Sequence, residues 1–205
     1  MSMLSNRNLG LLVIASVIYH ALVFSAMHLL EPEFSPIRAP GSAYVLGAYG
    51  PLMTTTYFVL SVGLLSVAYG LVTTLGRTRL TSIAFAVVLV AAAGASLAGI
   101  FPMDFPPPPR TPSGRFHALG GLLTFPGIAV GLSLFSLSFR RDGYWRGVST
   151  VLSALSAGMI PALFLGVSSI LVLGYGGFAQ RLFIVVFYSW MILAGVHLTR
   201  TAPAT

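Results

Sequence analysis

Five stretches of this chain run for about twenty residues or more without a charged side chain, and a sixth carries its only charge at its first position. They are Leu9–Leu30, Pro51–Leu75, Leu80–Phe101, Phe116–Phe139, Gly147–Leu173 and Arg181–Leu198. The hydrocarbon core of a bilayer is about 30 Å thick, and an α-helix crosses it in about 20 residues. The pattern predicts an all-α, polytopic membrane protein, a single bundle of six transmembrane helices over residues 1–205. A transmembrane barrel would instead show alternation in segments of about ten residues. The second span could begin as early as Ser42, with Pro51 breaking or kinking it, and Pro161 should kink the fifth. The first span follows Arg7 as a signal sequence would, but its apolar run exceeds the roughly 7–15 residues of one, so it reads as a retained helix.

Composition removes whole classes of function. Hydrophobic residues make up 56% of the chain and charged ones 7%, against about 25% charge in soluble domains. A soluble, disordered or collagen-like chain is excluded. Cysteine is absent, which excludes disulfides, thiolate metal centres and cysteine nucleophiles. All 11 basic residues are arginines, so lysine Schiff-base chemistry is excluded. The net charge of +7 is spread over short connections and builds no basic face for nucleic acid.

Those arginines set the expected orientation. Arg7, Arg77, Arg79, Arg140, Arg141, Arg146 and Arg200 fall on one side of a six-span topology, and Arg38, Arg110, Arg115 and Arg181 on the other. The richer side faces the cytoplasm, which places the protein in the cell (inner) membrane with both termini in the cytoplasm and segments 31–42 and 101–115 outside. The outer segments are proline-rich, and Pro106–Pro109 should form a stiff, extended strap. Small residues at Ala91, Ala95 and Gly99, and at Gly127 and Gly131, suit close helix packing.

Ionisable groups at membrane depth are costly, so the few present are the candidates for function. Helical spacing puts Ser16, His20, Phe24, Met27 and Glu31 on one stripe of the first span, with His28 at its margin. That stripe must face the interior, because lipid offers polar groups no partner. His20 reads as a satisfied core histidine. Glu31, Asp104, His117 and Arg181 come from four different elements and reach one depth on the outer side. Asp104 orienting His117, with Glu31 as a second acid or base, would be a catalytic set. Arg181 and Arg115, with His28, Gln180 and Tyr57, would bind a ligand, the arginine fork holding an anionic head. The alternatives for the same cluster are a metal site, to which no ligand set is assigned, and a structural network joining helix ends. Asp104 and His117 are expected within hydrogen-bond reach, so Asp104→Asn should matter far more than Asp142→Asn. His197 lies at the other end, as an interfacial residue. Hydroxyls at Thr54–Thr56 and Ser61, and at Ser149, Ser153 and Ser156, should bond across helices.

The run Gly99-Ile-Phe-Pro-Met-Asp104, His117 entering the next span, and Gly177-Phe-Ala-Gln-Arg181 opening the last, with Trp190 inside it, resemble the membrane family called domain of unknown function 998. Leu46-Gly47 before the second span is similar too. The resemblance implies six helices in a membrane and that Asp104, His117 and Arg181 belong together; it implies no activity. Gln180 stands where that family often carries an acid.

Three functions fit these readings. The first is an outward-facing polar pocket that binds or processes a lipid-like or isoprenoid ligand. The second is a non-catalytic subunit that is structural or holds a cofactor or pigment. His28 and His117 are the one histidine pair at matching depth for a haem. The third is a small transporter lined by His20 and the second-span threonines. Membrane lipids are the expected partners, together with either a second copy of the chain or a larger membrane complex. No cofactor is named by the residues.

Overall fold

The computed structural model describes residues 5–105, 109–168 and 176–200. Its elements are helices: α1 (Asn6–Leu30), a 3₁₀ segment (Gly41–Leu46), α2 (Gly50–Leu75), α3 (Arg79–Ile100), α4 (Pro112–Phe139), α5 (Arg146–Ser168) and α6 (Gly176–Thr199). All six α-helices are long and apolar enough to cross a membrane. The central part of the proline strap, residues 106–108, and the end of the expected fifth span, 169–173, lie outside the described residues.

Local chemistry explains where the helices begin. Ser5 accepts from the Asn8 N–H at the start of α1. Thr78 and Thr81 form a reciprocal capping box on α3, and Thr111 accepts from the Gly114 N–H on α4. Each cap supplies an acceptor to an otherwise unpaired N–H group. Pro51 and Pro112 fall in the first turns of α2 and α4, where proline loses no hydrogen bond. The residues from Ser42 are therefore not an early α2: Gly41–Leu46 form a separate 3₁₀ turn, and α2 begins at Gly50. Pro126 and Pro161 lie inside α4 and α5, where each removes a donor from the helical ladder.

The helices are apolar all round, as lipid on one side and packing on the other require. Both faces carry large apolar side chains: Leu22, Leu122 and Phe164 are exposed, while Leu64, Phe135 and Trp190 are buried, with Ala84, Ala91, Ala95 and Ala129 among them. Each helix packs on the next, and α6 returns to α1, closing a ring. The most intimate pair is α3 and α4, where a Cβ at Gly120 would meet the Ala98 nitrogen and Gly94 oxygen at 2.7 Å. Small residues allow that approach. Ser61 bonds to the Ala92 carbonyl and Ser96 across α2 and α3, and Thr124 reaches the Ala91 carbonyl across α3 and α4. Ser149 and Ser156, in contrast, bond carbonyls of their own helix.

Both described ends meet at one face. Thr73 donates to Asn6 at 2.7 Å, and the Trp145 indole donates to Thr74 at 3.1 Å. Trp145 stacks on Phe139, and His197 packs against both Tyr144 and Trp145. The opposite, far face carries the 31–49 connection and residues 101–105 and 109–111.

Candidate functional site

The far face is built from residues that anchor connections and residues that line space. Glu31 ends α1 and is 2% exposed. Its Oε1 accepts the Tyr49 N–H at 2.5 Å, at the start of α2, and a Cβ at Gly47 would overlap its carboxylate. Asp104 does the same work for α4. Its Oδ2 accepts from the Arg110 and Thr111 N–H groups at 2.6 and 2.7 Å, and its Oδ1 from the Thr111 hydroxyl at 2.9 Å. These bonds favour the charged form, led by the Thr111 N–H, and hold the carboxyl below the usual aspartate range.

Arg181 gathers the α1–α2 connection. Nε donates to His28 Nε2 at 3.0 Å, and the terminal nitrogens donate to the Ala39 and Gly177 carbonyls and the Tyr44 hydroxyl. Its guanidinium lies 5.1 Å from the centre of the Phe24 ring, within cation–π range. His28 is completed by the Phe24 carbonyl at 2.7 Å. Burial pushes the Tyr44 phenol pKa up, with the Arg181 charge opposing. The partner of His28 is thus Arg181.

Asp104 and His117, expected to bond, have separate partners. His117 is buried, and its Nδ1 faces the Ala98 and Phe101 carbonyls at 3.0 and 2.9 Å. Both carbonyls only accept, so in the neutral ring Nδ1 carries the proton and Nε2 keeps its lone pair. The capping demand of α4 and the carbonyls ending α3 turn the two residues to different partners. Arg115 is exposed on α4. The predicted stripe Ser16, His20, Phe24, Met27 and Glu31 is buried throughout, and His20 bonds to the Tyr188 hydroxyl across α1 and α6.

Two adjoining spaces lie under the far face. The first is a cleft of about 510 Å³, bounded by Arg38, Asp104 and Phe105 at its rim, α4 along one side, the start of α6 and Leu163 of α5. Leu122, Phe125, Pro126 and Leu163 give it an apolar wall. The second is a cavity of about 70 Å³ further inside, reaching Tyr57, His20 and Tyr188. Ser42, His117, Gly121, Phe125 and Gln180 line both. A water needs about 10–15 Å³ of such space, so even the inner cavity admits a small group. A Cβ at Gly121 would touch nothing within 4 Å, which marks open room on that side of α4. Gln180 has its carbonyl fixed by the Gly41 N–H at 2.6 Å, leaving its amide N–H₂ free to donate. The Tyr57 hydroxyl is buried without a hydrogen bond, although Ser42 stands close by.

Ser42, Arg38, Tyr44 and Tyr188 were not expected at this site from the sequence. The first two sit in the outer 31–42 segment, whose proline content was the available signal. The others are aromatic residues in apolar surroundings and carry no signal of their own. Among the described residues no three His, Asp or Glu side chains converge as a metal site would require.

A ring of six helices, each long and apolar enough to cross a membrane, defines a polytopic α-helical membrane protein. The chain matches the model of the family described as "Protein of unknown function (DUF998)" over residues 13–197, and it belongs to that family. No curated protein and no solved structure matches it.

Proposed function

We propose that this protein binds a lipid-like molecule in the far-face cleft, with the chain along Leu122, Phe125, Pro126 and Leu163 and the polar end near Arg38, Gln180 and His117. The observation that carries this reading is the cleft itself. Its volume of about 510 Å³ falls within the roughly 300–1,000 Å³ of ligand pockets, and its few polar groups on apolar walls match their usual make-up. Polar groups gather toward the connections and the junction with the inner cavity, while Leu122, Phe125, Pro126 and Leu163 run along the helices, which is the polarity of a lipid entering from one leaflet. Asp104 and Glu31 already give their oxygens to backbone N–H groups, which favours a binding role over acid–base chemistry by these carboxylates. The arginine bias favours the cell membrane with both termini in the cytoplasm and the cleft in the outer leaflet.

Gly121→Trp tests the reading, because the new side chain grows into open cleft space. Lipid extracted from purified wild-type protein in nanodiscs should contain one class enriched over the nanodisc lipid, at a ratio near one per protein. The variant, folded to the same melting temperature, should lose that enrichment. Equal lipid content in both proteins would overturn the proposal.

A further inference from the structure

We infer that the polar end of the ligand is uncharged and carries a hydroxyl group, as in a long-chain or prenyl alcohol or a monoacylglycerol. This rests on the lipid-binding reading of the cleft and goes beyond it by naming the head group.

The groups around the junction of the two spaces lead to it. His117 Nε2 is an acceptor, since Nδ1 is held by the Ala98 and Phe101 carbonyls. The Tyr57 hydroxyl is buried, with the Ser42 hydroxyl as its near neighbour and no hydrogen bond of normal geometry, and such a group gains from a further partner when the space is filled. Gln180 presents its amide N–H₂, because its carbonyl is fixed by Gly41. Ser42 adds a hydroxyl. The junction therefore offers several donors and one basic acceptor. A hydroxyl both accepts and donates, and so satisfies both kinds of group at once.

Charge argues the same way. Arg181 lines neither space, and its nitrogens are committed to His28, Tyr44 and two carbonyls. The charged residues lining the cleft are Arg38 and Asp104, one of each sign. Asp104 is held in its charged form by the α4 N-terminal amides. A phosphate or carboxylate head would meet one arginine and one carboxylate, with no net attraction, whereas a neutral head meets no repulsion.

The test is competition against tritiated oleyl alcohol on the intact protein in detergent, with four unlabelled probes: oleyl alcohol, its methyl ether, oleate and oleoyl lysophosphatidate. Oleyl alcohol should compete about tenfold better than the methyl ether, which cannot donate to His117; one hydrogen bond with a buried partner left unpaired is of this size. Oleate and the lysophosphatidate should compete less well than the alcohol. His117→Phe should bring the alcohol-to-ether preference below about twofold. Tyr57→Phe should weaken alcohol and ether alike, because both accept from the phenol. Equal competition by alcohol and ether in the wild type overturns the inference without any variant, as does tighter binding of either anionic probe. If alcohol and ether bind equally but Gly121→Trp blocks both, the cleft reading stands and the hydroxyl assignment falls. If none of the four chains binds, both fall.

Discussion

Glu31 and Asp104 show what a carboxylate does where few charges are available: each accepts from backbone N–H groups at a helix start instead of pairing with an arginine. For Asp104 this has a pH signature. Its folded pKa is lowered from the model-peptide value of 3.8, so its contribution is fully present above about 3.8 and is lost as pH falls from there through the lower folded value. Hydrogen exchange at the Arg110 and Thr111 amides, corrected for intrinsic rates, should show protection constant above pH 4 and falling below it; protection unchanged down to pH 2 would contradict the assignment. Asp142 accepts the Tyr144 and Trp145 N–H groups, both at 2.9 Å, so the large contrast expected between Asp104→Asn and Asp142→Asn shrinks to a difference of location. Arg181 is the residue whose chemistry is hardest to replace. Lysine cannot span four acceptors in a plane, and Arg181→Lys should lower stability by about 2 kcal/mol, read as a clear drop in melting temperature in detergent. A melting temperature equal to the wild type would mean that the cluster contributes little. The sequence placed these residues at one depth because depth follows from position along a span. It could not place their partners, because those are loop carbonyls and amides, such as the Ala39 oxygen and the Tyr49 nitrogen, that carry no side-chain signature.

At the scale of helices, the legible part was large because apolar length is a strong signal and the bilayer fixes what it means. The ends were less legible. The spans expected at Phe116 and Arg181 start at Pro112 and Gly176. In α4 the Thr111 cap and Pro112 extend the helix through polar residues that hydropathy would leave in the loop, and in α6 the Phe178 N–H is met by the Ile37 carbonyl at 3.0 Å. Gln180 and Arg181 consequently stand in the second turn of α6, not at its tip. Within α4, two adjacent glycines give opposite predictions. Gly120 faces the α3 backbone, so Gly120→Ala should overpack the interface and cost about 1–3 kcal/mol. Gly121 faces open space, so Gly121→Ala should be neutral or slightly stabilising, since alanine favours helix over glycine. Thermal unfolding of the two variants checks this, and similar melting temperatures would contradict the α3–α4 contact. Neither periodicity nor composition distinguishes the two positions; only the neighbouring helix does.

For the molecule as a whole, the closed ring and the shared position of its ends follow from six antiparallel spans, while orientation rests on the arginines. Single cysteines suit this chain, which has none of its own. Ser113→Cys should react with a membrane-impermeant maleimide on intact cells and Gly143→Cys only after permeabilisation; the reverse pattern would invert the protein. The central claim is that the far-face cleft selects a particular lipid and is not merely a groove wetted by bulk membrane. A photo-crosslinking amino acid placed at Leu163, inside the cleft, and separately at Val185, an exposed position of α6, tests this in native membranes. Mass spectrometry of the adducts should give one dominant lipid species at position 163 and a mixture following bulk membrane composition at 185. The same bulk mixture at both positions would contradict the account.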